Sequence, residues 1–339
     1  MNSNDPFAAV RHAVDRDLAT AVAESAGDPA GQPWYGEFGG TLRALVRRHL
    51  DARPGYFVLG GLGHLNEEQA RRFTVAVSEL AGELLPQDGA GALLRDVRDR
   101  GVRLGEGATG RYSDSRQGGS LHTDAAHRPG RLPDIFTLFC LRQAVSGGSL
   151  VMVHVADLLD ILRDHPRELA TLRLPVHFDT RDDTPGVPLT TERPVFVYRG
   201  GRERMYYLRD YIEIGHRHPH VPPLTPEQVK ALDLLDSLLD RRDLQTHGRL
   251  QPGEMIFIDN RSIVHGRTAF QDVTPAGSSG GGRLMLRTWI GLPGQETERL
   301  GAERVGAERL GAERLGAERL GAEGAGAEGA GAEEAGAVR

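Results

Sequence analysis

The chain has 339 residues, of which 39% are apolar, and it carries a formal net charge of −6 at pH 7, so it is long enough to bury a sizeable core. The mixed, mildly acidic charge gives no reason to expect a nucleic-acid partner. Cys140 is the only cysteine, which excludes an intrachain disulfide and a cysteine-rich metal site. Neither a signal peptide nor an apolar run of membrane-spanning length is visible, so we expect a cytoplasmic protein with no membrane partner.

The first part of the chain has the apolar spacing of helices. Residues 7–24 carry apolar side chains at helical intervals, and residues 37–52 form a second candidate helix. Residues 55–59 read Gly-Tyr-Phe-Val-Leu, which is typical of a short strand. Asn66, with Gln69 three residues later, predicts a capping box at the start of a third helix, which extends to about residue 85.

From residue 121 onward, short apolar or β-branched runs alternate with turns. Gly200-Gly201 predicts a tight hairpin turn, and residues 155–165 and 225–242 predict helices. Residues 179–193 are polar and contain Pro and Gly, so they predict a lid over a site. The predicted strands are residues 135–141, 150–153, 175–178, 195–198, 204–208, 255–258 and 284–290. This pattern favours a mainly β fold with flanking α-helices.

The end of the chain has a different composition, a Gly-Ala-Glu-Arg-Leu repeat that decays into Gly-Ala-Glu-Gly-Ala. Leucines five residues apart rotate by roughly 500° around a helix, so they form no apolar stripe. Glycine in each repeat weakens a helix by about 1 kcal/mol. We therefore predict one domain over residues 1–293 and a disordered low-complexity tail over residues 294–339.

Two His-x-Asp sequences are candidate metal-binding motifs. On a strand, the side chains of His122 and Asp124 would share one face, and they follow a glycine-rich loop. His177 and Asp179 enter the predicted lid, which is a mobile place for a metal ligand. With His265 as a distant third ligand, the first pair gives two imidazoles and one carboxylate on one face of a metal. Non-haem Fe(II) oxygenases use this arrangement because it leaves the opposite face open.

The remaining clusters of polar residues give weaker evidence of a functional site than the His-x-Asp sequences. An alternating histidine run among prolines is typical of a surface loop that binds metal adventitiously at most, and its members are His216, His218 and His220. The predicted lid carries acidic residues that could meet a cationic end of a substrate, although a solvated acidic loop explains them as well. These residues are Asp179, Asp182 and Asp183.

Several motifs occur in a fixed order along the chain. Leu-His-Thr-Asp (121–124) precedes Pro-Asp-Ile-Phe-Thr-Leu-Phe-Cys (133–140) and Gly-Gly-Ser-Leu-Val (147–151). The run 253–270, which includes Asn-Arg-Ser-Ile-Val-His-Gly-Arg, is followed by Arg283-x-x-x-Arg287. Together they resemble the Fe(II)/2-oxoglutarate-dependent dioxygenases of the TauD/TfdA, clavaminate synthase-like group. The resemblance implies a double-stranded β-helix (jelly-roll) core with outer helices.

The resemblance also implies a role for each motif residue. His122, Asp124 and His265 would bind Fe(II), in the presence of the co-substrates 2-oxoglutarate and O2. Arg283 would form a salt bridge with the distal carboxylate of 2-oxoglutarate, because its planar fork matches a carboxylate. Arg287 would face the substrate or the reacting end of the co-substrate.

One position departs from the group. A threonine usually follows the Gly-Gly pair and donates a hydrogen bond to the 2-oxoglutarate carboxylate. Leu150 has that position here, with Ser149 beside it. Either Ser149 substitutes for the threonine or the contact is lost.

The reaction that the resemblance implies is hydroxylation of an unactivated C–H bond, coupled to conversion of 2-oxoglutarate into succinate and CO2. The substrate would be a small metabolite, an amino acid or an amino-acid-derived intermediate of specialised metabolism, either free or tethered to a carrier protein. Related halogenases lack the carboxylate ligand, so Asp124 argues for hydroxylation, with desaturation or cyclisation as alternatives. Two other classes stay open: a different metal enzyme on a cupin-like barrel, which would need no Arg283, and a non-catalytic ligand-binding barrel.

Overall fold

The computed structural model describes residues 5–25, 31–103, 112–182, 186–273 and 281–293. The predictions for the tail and for Asp183 lie outside these ranges. Within them, no helix has the length and apolarity that crossing a bilayer requires. The helices are α1 (Arg16–Glu24), α2 (Tyr35–His49), α3 (Glu67–Ala81), α4 (Val155–Leu162), α5 (Pro166–Leu172), α6 (Arg209–Gly215) and α7 (Pro226–Leu239).

The strands form two larger sheets and three ribbons. They are β1 (Arg11–Ala13), β2 (Tyr56–Gly60), β3 (Glu83–Leu84), β4 (Leu94–Val97), β5 (Gly119–His122), β6 (Ile135–Arg142), β7 (Ser146–Gly147), β8 (Leu150–His154), β9 (Pro175–Asp179), β10 (Thr190–Pro194), β11 (Phe196–Arg199), β12 (Arg202–Met205), β13 (Gln245–Gly248), β14 (Glu254–Asp259), β15 (Ile263–Arg267), β16 (Phe270–Gln271) and β17 (Leu284–Gly291). The large sheet has the order β1-β2-β14-β6-β17-β3, and β4 also pairs with β17. The small sheet has the order β13-β8-β15-β5. The ribbons are β9–β10, β11–β12 and β7–β16.

The small sheet lies between two hydrophobic cores. Successive residues of β8 point to opposite faces: Met152 packs into the core that holds the large sheet and helices α1–α3, and Val153 packs into the core that holds α4–α7. Ile263 and Val264 of β15 alternate in the same way. Because β15 is packed from both faces, the side chains that project from it are firmly placed.

The helix predicted over residues 7–24 is wrong in its first half. A 3-10 turn over Ala8–Val10 leads into β1, which pairs in parallel with β2, and α1 begins only at Arg16. Phe7 and Val10 are buried in this conformation too. Pairing with the sheet satisfies the backbone groups of β1, so this tertiary contact overrides the helical spacing of the apolar residues.

Most of the other sequence-based predictions are confirmed. Helix α2 and strand β2 lie where expected, and Asn66 and Gln69 form the predicted capping box at the start of α3, although α3 ends earlier, at Ala81. Gly200 and Gly201 have φ of +60° and +80°, as a two-residue hairpin turn between β11 and β12 requires. Each predicted strand overlaps an observed one. Besides β1, the sequence reasoning missed β15 and the short helices α5 and α6. It also missed the short strands β3, β4, β7, β10, β13 and β16.

Candidate active site

Two of the predicted metal ligands face each other across neighbouring strands. His122 ends β5 and pairs directly with His265 of the antiparallel strand β15, and their ring centroids are 4.6 Å apart. One ligand atom each from His122, Asp124 and His265 lies within 4.8 Å of the other two. Across the described ranges, no other group of three His, Cys, Asp or Glu side chains has this geometry. The structure therefore brings the favoured set together.

Asp124 reaches the histidines from a turn, so the expectation that it shares a strand with His122 is wrong. Strand β5 ends at His122 and the turn begins at Asp124. The side chain of Asn260 holds the backbone at this point: its Oδ1 accepts from the N–H of Asp124 at 2.7 Å, and its Nδ2 donates to the carbonyl of Asp124 at 3.0 Å. Asn260 thereby sets the position of the carboxylate.

The Asp124 carboxylate is buried and remains ionised. Burial, the largest single influence, would raise its pKa. The positive charge of Arg287, together with smaller contributions from His265, His122 and the Trp289 hydrogen bond, outweighs burial and keeps the pKa below its ordinary value. Nη1 of Arg287 lies 3.1 Å from Oδ1, and the indole N–H of Trp289 donates to Oδ2 at 2.8 Å. An anionic carboxylate is the form that binds a metal cation.

Both imidazoles are suited to metal binding. Nδ1 of His122 lies 2.8 Å from the carbonyl oxygen of Ser120, so Nδ1–H donates there and the lone pair is left on Nε2, which lies 3.8 Å from Asp124. Burial, and then the neighbouring His122, lowers the pKa of His265 to about 3, so its ring is neutral at pH 7. The His265 ring also stacks on Phe136, with centroids 4.1 Å apart. Two imidazoles and an ionised carboxylate therefore fit an Fe(II) ion.

The three predicted ligands lie in a cleft that opens to solvent and is lined by residues of both larger sheets. Arg283 lies in the same cleft, immediately before β17, and is only 3% exposed. No carboxylate of a described residue lies within 4.0 Å of its guanidinium, and its Nε has no hydrogen-bond partner there. Burial, and then the charge of Arg267, lowers the pKa of Arg283 to about 9. A buried cation without a counter-ion fits a site that binds an anion.

The Gly-Gly pair makes room for this arginine. Gly148 has φ of +72°, and a Cβ added there would lie 3.1 Å from Nε and 3.3 Å from Cδ of Arg283. We expect Gly148→Ala to displace the guanidinium and raise the KM for 2-oxoglutarate by about 10- to 100-fold. Gly201→Ala is the control, because Gly201 has φ of +80° but open space around it.

Both glycine variants should lose roughly 1 kcal/mol of stability from left-handed backbone strain. Only Gly148→Ala should affect the co-substrate, as measured by succinate release at varied 2-oxoglutarate. An equal KM in the two variants would contradict the proposed contact between position 148 and the co-substrate end of the cleft.

Because the sequence departs from the group after the Gly-Gly pair, the hydroxyl expected to donate to the 2-oxoglutarate carboxylate is missing there. Leu150 begins β8 and lines the cleft, as the position of the group's threonine would. Ser149 does not line it; instead its backbone N–H donates to Oγ1 of Thr268 at 3.1 Å. The structure thus brings an apolar side chain, and not the Ser149 hydroxyl, to the place where a hydrogen-bond donor is expected.

Arg287 lines the cleft beside the metal ligands. Besides its ion pair with Asp124, its Nε donates to Oε1 of Gln87 at 2.8 Å, and its guanidinium lies 4.8 Å from the Trp289 ring. It therefore orients Asp124 in addition to the role in substrate binding that remains predicted for it.

The alternative His-x-Asp sequence has other contacts. His177 and Asp179 lie on β9, which pairs with β10, so the predicted lid begins and ends in paired strands. Nε2 of His218 lies 2.7 Å from Oδ2 of Asp179, and Nε2 of His216 accepts from the backbone N–H of His177 at 3.0 Å. These histidines lie in the surface turn after α6, as the sequence predicted, and they also connect this turn to the β9–β10 hairpin. Asp179 is thus already paired within the protein.

Sequence reasoning missed three residues of this region: Arg267, Tyr112 and Asn260. Arg267 lies two residues after His265 on β15, and the period of a strand could have identified it as sharing the His265 face. Tyr112 lines the cleft, stacks on His122 with centroids 5.9 Å apart and donates its hydroxyl hydrogen to Asp210. Burial first, and then Asp210, raises the pKa of Tyr112 to about 12. No local signal marks Tyr112 or the contact between Asn260 and the Asp124 turn.

The sequence is similar to members of one family of enzymes. The model of the taurine catabolism dioxygenase TauD, TfdA family matches residues 24–289. FR-33289 synthase of Streptomyces rubellomurinus is 30% identical over 249 residues, which cover 68% of each chain.

Solved structures share the fold. One is asparagine oxygenase in complex with Fe(II), (2S,3S)-3-hydroxyasparagine and succinate, with a TM-score of 0.61 and 22% identity over 83% of this chain and 93% of the other. Another is the non-haem iron oxygenase OrfP in complex with Fe, succinate and (3S)-hydroxy-L-Arg, with a TM-score of 0.59 and 20% identity over 83% and 93%. At these identities the similarity is evidence for the fold alone.

Proposed function

The chain belongs to the taurine catabolism dioxygenase TauD, TfdA family of Fe(II)- and 2-oxoglutarate-dependent dioxygenases, and we propose that the cleft between its sheets is the active site. The observation that carries the proposal is the combination of two imidazoles, one carboxylate and a buried arginine without a counter-ion in one cleft. A cupin-like metal site would not need the arginine, and a ligand-binding barrel would not need the three ligands.

We assign the metal-binding role to His122, Asp124 and His265. Fe(II) bound there with 2-oxoglutarate supplies O2 activation, coupled to decarboxylation of 2-oxoglutarate to succinate. The three side chains approach from the small sheet and its following turn, which leaves the side toward the cleft open for co-substrate and substrate. Asn260 and Arg287 hold the carboxylate in place, so little reorganisation is needed when the metal binds.

We assign Arg283 to the distal carboxylate of 2-oxoglutarate. Its position in the cleft would orient the 2-oxo acid end toward the three ligands. The wall between the two ends is apolar, formed by Phe136, Leu138 and Leu150. This wall excludes water from the methylene groups of the co-substrate and strengthens the ion pair at its far end.

The proposed substrate is an amino acid or an amino-acid-derived metabolite, and the proposed reaction on it is hydroxylation. Two proteins of the same fold support this choice, since they were crystallised with hydroxyasparagine and hydroxy-L-arginine. Arg287, beside Asp124 in the cleft, is the proposed contact for a substrate carboxylate. A carrier-tethered form of the substrate remains compatible, because the cleft opens to solvent.

The proposed architecture is a double-stranded β-helix with outer helices. Its support is the pair of sheets on either side of the cleft: β6 and β17 contribute Leu138 and Arg287 from the large sheet, and β15 and β5 contribute His265 and His122 from the small one. Helices cover the outer side of each sheet through the two hydrophobic cores.

The proposed function is tested by anaerobic titration of the purified protein with Fe(II), with and without 2-oxoglutarate. We expect a weak visible metal-to-ligand charge-transfer band only when both are present, because it requires the chelated co-substrate. Succinate release in the presence of candidate amino acids then identifies the substrate. Iron binding without the band would refute the assignment of the co-substrate site, and absence of iron binding would refute the assignment of the metal site.

A further inference from the structure

A second arginine lies beside Arg283 at the co-substrate end of the cleft. Arg267 projects from β15 of the small sheet, and Arg283 precedes β17 of the large sheet. The two guanidinium carbons lie 4.6 Å and 5.4 Å from the centroid of the same ring, that of Phe270. Both residues line the cleft, and their charges are close enough to repel each other.

No carboxylate of a described residue forms a close ion pair with either arginine, although Asp99 and Asp272 act on their charges from farther away. Neither arginine has a carboxylate partner within 4.0 Å among the described residues, whereas most other arginines near the cleft have one, such as Arg95 with Asp114 at 2.8 Å. Like charges at a partly buried site are costly unless an anion binds between them. The pair therefore fits a carboxylate better than either arginine alone.

Arg267 is held rigidly in this position. Its Nη2 donates to the carbonyls of Ser115 and Gln117 at 2.8 and 2.9 Å, and its Nη1 donates to the carbonyl of Thr268 at 3.1 Å. These contacts use three of the five N–H donors of a guanidinium, so two remain for a ligand. Carbonyl acceptors fix the group without cancelling its charge.

We propose that Arg267 is the second donor to the distal carboxylate of 2-oxoglutarate and replaces the threonine hydroxyl that Leu150 lacks. This inference rests on the proposed function. The co-substrate is then held by guanidinium groups from two sheets, each of which packs against the Phe270 ring.

The decisive experiment is anaerobic titration of the Fe(II)-loaded protein with 2-oxoglutarate, followed by the charge-transfer band. We expect Arg267→Gln to raise the Kd by about 10- to 100-fold, the usual effect of losing a charge-assisted hydrogen bond. The position of the band should not change, because the metal-chelating end of the co-substrate is untouched. Arg267→Lys, which keeps the charge without the fork, should lie between wild type and Arg267→Gln.

Rescue separates a binding role from a structural one. In the double variant Leu150→Thr/Arg267→Gln, the new hydroxyl occupies the position that the group uses, so we expect it to recover about tenfold of the lost affinity. If Arg267 served only to hold the loop at Ser115 and Gln117, a threonine at position 150 would restore nothing.

A metal-independent measurement uses glutarate, which has both carboxylates but no 2-oxo group. We expect glutarate to raise the Tm of metal-free wild type, and to raise that of Arg267→Gln much less. A wild-type Kd in Arg267→Gln, or no rescue by Leu150→Thr, would overturn the role of Arg267 alone. Failure of wild type to form the band would instead overturn the proposed function.

Discussion

Replacement of His122 by alanine is expected to abolish 2-oxoglutarate-dependent succinate release and to weaken Fe(II) binding by at least about 100-fold. Loss of a partner that merely orients a ligand costs 10- to 100-fold in metal affinity, and loss of a ligand itself costs more. His122 is suited to this test because its side chain lies at the cleft surface with 17% exposure, so truncation leaves little buried cavity.

His177→Ala is the matched control. This variant also removes a histidine from a His-x-Asp sequence. Nδ1 of His177 lies 3.3 Å from Oγ1 of Thr190 in the β9–β10 hairpin, away from the predicted metal ligands. Fe(II) affinity measured by anaerobic equilibrium dialysis should be unchanged in this variant. Equal losses in both variants, or none in His122→Ala, would mean that the metal does not bind at the assigned triad.

Arg283→Met is expected to weaken 2-oxoglutarate binding but to stabilise the ligand-free protein. The affinity for 2-oxoglutarate should fall by more than about 100-fold, because a buried charge partner of the co-substrate is removed. The ligand-free protein should become more stable by about 1–3 kcal/mol, because methionine replaces a buried charge that has no counter-ion among the described residues. Urea unfolding without co-substrate measures the second effect.

Arg261→Met is the matched control for stability. Arg261 is buried to a similar extent, at 4% exposure, but its Nε lies 2.6 Å from Oδ1 of the buried Asp259. Removing it takes away the nearest charge partner of that buried carboxylate and leaves Arg202 at 3.9 Å, so we expect a loss of about 3–5 kcal/mol. If Arg283→Met were destabilised to a similar extent and bound 2-oxoglutarate normally, Arg283 would be a structural residue.

The contrast between these two arginines has a general basis. A charged side chain that stabilises the fold pairs with another residue of the protein, as Arg261 does with Asp259. A side chain that serves a ligand lacks its partner until the ligand binds, and the free protein is less stable for it. Arg283 has the second property in the ranges that the structure describes.

The sequence predicted much of the site because the chemistry of its motifs is local. His122 and Asp124 lie two residues apart, and the order of the motifs distinguished them from His177 and Asp179. The wrong detail, a strand through Asp124, did not change the assignment, because the turn that begins there still directs the carboxylate toward the imidazoles.

The fold predictions failed where tertiary contacts compete with local pattern. The apolar spacing before residue 15 is helical, yet the backbone of β1 pairs with the edge of β2. Gly147 and Gly148 do not show at which residue β8 begins. The sequence therefore left open whether Ser149 or Leu150 faces the cleft, until the structure showed that β8 begins at Leu150. A shift of one residue exchanges the two faces of a strand.

The sequence by itself determined the family, the candidate metal ligands and a fold of β-sheets with several helices, since these depend on residue types at short spacing and in a fixed order. Only the tertiary structure decided that Arg267 and Arg283 both pack against Phe270, and that Asn260 holds the turn at Asp124. Each of these contacts joins segments of the chain that strand pairing and core packing bring together. The packing free energy that brings them together comes from many residues of both cores, so it cannot be predicted from a local sequence pattern.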